Sequence, residues 1–342
     1  MCIKKSDGSF VSKKIISTSN QYYTATLDVN KSDELVTVFI QVDSLIIRKF
    51  SSAGAVTLNK QWYFGGSSGV SFMGFDASQS NILLAGTFYN NFSISTATFT
   101  TTLGQYWAIR FDNSGAVTWS SQGKSSGTVS SVLNCISEDA NGNFYVTGKF
   151  TGTGTFTGTT QTLTATPKTG GDAEELFYAK YNSTGNLVWL KQGMSEKSIY
   201  GIRIRIGSDN KLYMMGKLGG KSLYLGGDSA IAVSANGSDP YFMAQMDTSG
   251  KTLWLKRVND IGGMRGTMDM HVDGSNNIYF TGGYSFYSGL PLGTFNLPQI
   301  APPGNKFFFA KTSRPDVRHR PQKRGNSCSG SQQAWHPGCG NR

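Results

Sequence analysis

The residues best able to do chemistry in this chain come in a register. When the first strands of successive repeat units are aligned on the turn that follows them, Cys135, Arg203 and Asp269 share one position. Ser137, Arg205 and His271 share the position two residues on. Arg203 and Arg205 alternate with Ile202, Ile204 and Ile206, so both guanidinium groups belong to one face of one strand. Paired guanidinium groups suit a carboxylate or a phosphate, because each offers forked N–H donors at fixed charge. The competing and favoured reading is an ion pair between units, with Asp269 held by Arg203 or Arg205. Ser137, Arg203, Arg205, Asp269 and His271 form the candidate ligand-binding set. No catalytic residue, metal ligand or cofactor is assigned.

Other chemistries find little to work with. Nucleophilic catalysis needs a base beside the nucleophile, and the repeat region has one histidine, His271. Phosphate-loop, zincin and nucleophile-elbow motifs are absent from the sequence. The Gly-rich run at 152–158 follows a strand and opens no helix, so it reads as a hairpin loop. Residues 139–143 (DANGN) have the look of a calcium loop, but a hard cation wants six or more oxygens with a late bidentate carboxylate. None follows, and a plain turn is the expectation.

The elements that must position these residues are repeats. One pattern is a turn and then a strand ending in Gly and usually an aromatic residue, at 81–88 (NILLAGTF), 143–150 (NFYVTGKF), 211–218 (KLYMMGKL) and 277–284 (NIYFTGGY), with a degenerate copy at 33–40. The other is strand, Gly turn and strand ending in Trp, at 109–119, 179–189 and 244–254; residues 48–58 end in Leu instead. The turn glycines Gly54, Gly115, Gly185 and Gly250 lie 61, 70 and 65 residues apart. Self-similarity at such a period marks a repeat architecture. The extra length relative to shorter propeller repeats falls between the two patterns, in Thr- and Gly-rich segments such as 151–164. Four short strands per unit without helical periodicity predict an all-β propeller of about five four-stranded blades. First strands of blades lie nearest the channel, which places the candidate set around its mouth. Each Trp is expected to offer its apolar face to the neighbouring unit while its N–H seeks a partner.

The last unit loses the pattern after 307–311 (FFFAK). The missing Gly turn and outer strand reappear at 5–14 (KSDGSFVSKK), so an N-terminal strand that completes the final sheet and closes the ring is expected. A cut through a longer array is the alternative.

Residues 139–150 (DANGNFYVTGKF) together with 177–189 (FYAKYNSTGNLVW) resemble the bacterial beta-propeller repeat called SBBP, over roughly residues 20 to 311. The resemblance implies a propeller fold and a secreted or cell-surface setting. It implies nothing about chemistry. Two enzyme motifs also come near and depart. The sialidase Asp-box has its Asp, Gly and Trp closer together than Asp112, Gly115 and Trp119. The spacing of Ala179, Gly185 and Trp189 resembles the tryptophan-docking repeat of quinoprotein dehydrogenases, whose Asp is replaced here by Tyr181 and Met246.

Composition sets the remaining bounds. Twelve per cent aromatic residues can build a real core despite 42 glycines. The net charge of +11 divides unevenly, since the short segment 312–342 holds six Lys or Arg against one acid. The rest is dispersed, a solubility feature rather than a nucleic-acid footprint. The chain divides into a repeat domain, 1–311, and a basic tail, 312–342, expected to be disordered or out of register with the repeat. The tail also admits a basic arm for acidic partners, or a metal site from Cys328, His336 and Cys339. Cys135 reads as a small core residue. No apolar run approaches the roughly 20 residues of a membrane helix, and residues 1–10 carry no signal-peptide pattern. The expected function is a monomeric, non-catalytic scaffold that binds protein or carbohydrate through one face of the ring. The alternative is a propeller hydrolase or lyase with its site in the channel.

Overall fold

Two kinds of turn build each sheet. Between first and second strands, the Asp139 side chain accepts hydrogen bonds from the Asn141 and Asn143 backbone N–H groups, both at 2.9 Å, while Gly142 N–H donates to the Asp139 carbonyl at 3.0 Å. Between third and fourth strands, Asn182 does the same for Thr184 and Asn186. Gly185 there has φ of 87°, a conformation that costs other residues strain. Short polar side chains that satisfy the local backbone suit such turns. The Asp139 carboxylate is further engaged by Asn143 Nδ2 and the Tyr145 hydroxyl. The 139–143 segment is thus a turn, as its composition predicts.

In the computed structural model the described residues are 2–3, 10–12, 22–41, 43–64, 68–101, 105–125, 132–156, 162–164, 174–220, 222–225, 229–232, 241–258, 264–284, 290–292, 295–297 and 306–312. Among them every regular element is a strand. Five antiparallel sheets form the blades of a propeller. Blade one runs Tyr22–Val29, Leu35–Gln41, Ser44–Phe50 and Val56–Tyr63. Blade two runs Gly69–Phe75, Ile82–Phe88, Gln105–Phe111 and Val117–Ser125. Blade three runs Val132–Glu138, Phe144–Thr151, Glu174–Tyr181 and Leu187–Met194. Blade four runs Ile199–Ile206, Leu212–Leu218, Tyr241–Met246 and Thr252–Arg257. Blade five has three strands among the described residues, Met264–Val272, Ile278–Tyr284 and Lys306–Thr312.

The core lies between blades. Buried clusters join blades one and two (Val38, Leu84, Trp107), two and three (Tyr106, Phe144, Phe177), three and four (Tyr178, Leu212, Phe242), and four and five (Met243, Met270, Phe280). The outer-strand Trp of one blade docks on the Gly turn of the next. Trp119 stacks on Phe144 at 4.4 Å and lies against Gly185, where a Cβ would sit 2.4 Å from the indole. Trp189 lies against Gly250 and donates its Nε1–H to the Thr248 carbonyl at 3.1 Å. The expected partner is not found among the described residues for Trp119 and Trp254, whose Nε1–H groups are buried without one.

The extra length in the repeat is explained by inserted hairpins. The strand Thr153–Phe156, inserted in blade three, pairs with the outer strand of blade two, with Phe156 opposite Gly123. Ser222–Leu225, inserted in blade four, pairs with the outer strand of blade three, with Leu225 opposite Gly193. Each insertion thus clasps the preceding blade. Blade one has no such insertion, since its second and third strands are joined by a tight turn.

The expected N-terminal closing strand is corrected in its pairing. Phe10–Ser12 pairs with Cys2–Ile3 rather than with Lys306–Thr312, whose strand partner among the described residues is Ile278–Tyr284. Strands this near in the chain close a far smaller loop when they pair than strands at its opposite ends, which favours the local partner. Tail residues 313–342, with Cys328, His336 and Cys339, lie outside the described residues.

Candidate functional site at the channel mouth

A β-bulge near the start of each first strand aims its side chains. The register slips between Val70 and Phe72, Leu133 and Cys135, Gly201 and Arg203, and Arg265 and Asp269. The motif glycine of the second strand sits opposite, because the bulged strand crowds it. A Cβ on Gly148 would lie 1.9 Å from the Val132 carbonyl oxygen, and one on Gly86 1.8 Å from that of Gly69. Bulges re-aim side chains and recur beside functional sites. Cys135, Arg203 and Asp269 are each the first paired residue after the slip, and Phe72 is their counterpart in blade two.

All five first strands contribute to one cavity of about 530 Å³, through Asp28, Phe72, Ser137, Glu138, Arg203, Arg205, Asp269 and His271 among others. The structure therefore gathers the sequence-selected set in one place, but its charges are already engaged. Arg203 Nε donates to Asp269 Oδ1 at 2.7 Å and its Nη1 to the Ile202 carbonyl at 2.9 Å. Arg205 Nη1 donates to the Ile204 carbonyl at 3.0 Å and lies 2.7 Å from Cys135 Sγ. Its Nη2 is 3.9 Å from Asp269 Oδ1, and its guanidinium sits 5.2 Å from the Phe72 ring centre. Arg205 thus reaches from blade four to blades two, three and five. Burial alone raises the Asp269 carboxyl, but Arg203 and Arg205 overcome it and hold the group below the usual carboxylate range. The favoured sequence reading, an ion pair between units, is what stands here. Ser137 Oγ accepts the Ile206 N–H at 3.3 Å, another stitch between blades three and four. His271 is exposed on the cavity wall. Cys135 is fully buried in the cluster of blades three and four, the core role expected of it.

Sequence reasoning missed the acidic side of the cavity. Asp28 Oδ2 accepts the Phe75 N–H at 3.2 Å, stitching blade one to blade two. Glu138 is 5% exposed; its Oε1 lies 3.4 Å from Arg110, which also donates to Asp76 at 3.1 Å. Glu138 Oε2 is buried without a hydrogen-bond partner. Burial pushes this carboxyl up to about 7; Arg110 draws it down, while Asp76 and Asp139 add to the rise. The signal for Phe72 was present, since it occupies the aligned position in its unit. Glu138 carried none beyond its place beside Ser137. Among the described residues no group of three His, Cys, Asp or Glu is placed to hold a metal ion, and no helix is long and apolar enough to cross a membrane.

No family model matches the chain, and no curated protein does. Solved structures similar to it include the WD40 domain of coronin from Toxoplasma gondii, at 9% identity and a TM-score of 0.37, covering 82% of this chain and 75% of that one. The periplasmic gluconolactonase PpgL of Pseudomonas aeruginosa is similar at 12% identity and a TM-score of 0.35, covering 80% and 82%. An acylaminoacyl peptidase of Pyrococcus horikoshii follows at 6% identity and 0.26, covering 76% and 50%. The chain is a five-bladed β-propeller whose five inner strands meet at a polar cavity.

Proposed function

We propose that this propeller is a non-catalytic binding scaffold of the SBBP type, which takes a polar segment of a protein or carbohydrate ligand into its channel mouth. The observation that carries this reading is the state of the cavity's charges. Arg203, Arg205 and Asp269 are spent on one another and on backbone carbonyls, so these three offer compensated, fixed charge rather than a nucleophile beside a free base. A ligand in that cavity would meet exposed His271, the second carboxylate oxygen of Asp269 and the edges of the two guanidinium groups. A secreted or cell-surface setting and a monomeric state accompany the reading.

One observation favours the enzyme alternative. Glu138, on the same wall, has a carboxyl near 7 and an unpartnered oxygen, the range in which a general acid or base works at neutral pH. Both readings meet in one experiment: panels of oligosaccharides and extended peptides are screened against the wild type and the R203A/R205A and E138Q variants. The scaffold reading expects a bound ligand whose affinity falls at least tenfold in R203A/R205A, with the circular dichroism unchanged and the ligand recovered intact. Unchanged affinity removes the channel mouth as the site. Turnover that E138Q abolishes replaces the scaffold with the hydrolase or lyase.

A further inference from the structure

The N-terminal hairpin is built like the outer half of a blade. In every blade with a fourth strand, the last two pairs of the third–fourth hairpin fall at fixed offsets from its turn glycine, with a bulge between them. Arg110 pairs with Trp119 and Phe111 with Val117, four and two residues after Gly115; Lys180 pairs with Trp189 and Tyr181 with Leu187 after Gly185. The same holds for Lys49 with Leu58 and Phe50 with Val56, and for Gln245 with Trp254 and Met246 with Thr252. In the hairpin Cys2 pairs with Ser12 and Ile3 with Phe10, four and two residues after Gly8, with a register shift at the same place. A lone closing strand has no reason to reproduce both strands, both offsets and the bulge.

The seam between blade five and blade one has the faces such a unit needs. Phe307 and Phe309 occupy the register of Tyr241 and Met243, flanking the residue opposite the motif glycine. Tyr241 and Met243 are 4% and 5% exposed because blade five covers them, whereas Phe307 and Phe309 are 85% and 71% exposed. Tyr279 stacks on Phe309 at 5.8 Å and extends that apolar surface. On blade one, Leu27 and Val29, which also border the cavity, are 66% and 47% exposed and lie in register with Thr37 and Leu35. None of these four belongs to the four inter-blade clusters. Chain direction selects the occupant. Every fourth strand in the described blades leads directly into the first strand of the next blade, and Phe10–Ser12 leads in the same way to Tyr22–Val29. That rule sets the hairpin against blade one on the side away from blade two, which is the side facing blade five.

We propose that the hairpin Cys2–Ser12 is the outer half of an additional blade and seats in the seam, between the Leu27–Val29 side of blade one and the Phe307–Phe309 surface of blade five. Its test uses the full-length chain, with F10D/V11D to unseat the hairpin and F307S/F309S to remove the surface it meets. Amide exchange over residues 306–312 is expected to quicken at least tenfold in F10D/V11D. In urea, F307S/F309S should lower the folding constant at least tenfold in the wild-type background and less than twofold in the F10D/V11D background. Additive effects, or exchange at 306–312 that ignores F10D/V11D, overturn the proposal. Protection that grows with protein concentration overturns it as well, assigning the seam to a second copy of the chain.

Discussion

Arg205 and Glu138 represent opposite ways of placing charge inside this ring. The Arg205 guanidinium is satisfied from several blades, so its burial is compensated by contacts that also tie the ring together. Glu138 is buried with one oxygen unpaired and one near Arg110. Its carboxyl rises from an ordinary 4.5 to about 7, so the folded state holds a proton that the unfolded state releases. Its contribution to stability is therefore fully present below pH 4.5 and is lost as pH rises through 7. At about 1.4 kcal/mol per unit, that loss is at most about 3.5 kcal/mol. Urea unfolding at pH 5 and pH 8 should show a wild type that weakens with pH and an E138Q variant with a markedly flatter profile. Identical pH profiles would mean that Glu138 is ionised and solvated in the fold. This residue was not legible in the sequence, because nothing in a turn-adjacent Glu reveals that Arg110 and Asp76 of the preceding blade close over it.

At the scale of the element, the bulge and its opposing glycine are the unit of construction. The motif Gly ending each second strand was visible as a recurring letter; its reason was not, since the bulge lies in a different strand. Replacing Gly148 with Ala puts a methyl 1.9 Å from the Val132 carbonyl, which only backbone movement can relieve. A loss of roughly 2–4 kcal/mol is expected, at the upper end for single substitutions. Gly69 is a fair control, because a Cβ there meets nothing within 4 Å, and its replacement should cost less than about 1 kcal/mol. Equal urea midpoints for the two variants would show that the bulge yields easily and does not fix where Cys135 and Ser137 point. The Trp that closes three of the repeats is read more fully from sequence, since a large indole at a fixed offset from a Gly turn implies a neighbour's turn to rest on. Trp189 on Gly250 bears this out.

For the whole molecule, the interfaces are unequal. Blades two, three and four pack on both sides, and hairpin clasps extend the outer strands of blades two and three. Blade five contributes to the cluster with blade four and has three described strands. In repeat proteins stability approximates a sum over units and nearest-neighbour interfaces. Native-state amide exchange should therefore be slowest in the second strands of blades two and three, Ile82–Phe88 and Phe144–Thr151, and at least tenfold faster in Ile278–Tyr284 of blade five. Uniform protection would mean that the ring opens only as one cooperative body.

The sequence by itself determined the repeat, the turn chemistry, the strand count per unit and the placing of Arg203, Arg205, Asp269, Ser137 and His271 on inner strands, because these follow from local periodicity and fixed offsets along the chain. Only the tertiary structure decided that Asp269 pairs with Arg203 within reach of Arg205, that Asp28, Phe72 and Glu138 share their cavity, that the insertions reach back to the preceding blade, and that Phe10–Ser12 pairs with Cys2–Ile3. Each of those depends on which face of one sheet meets the next, and contacts between units leave no period in a single chain from which they could be read.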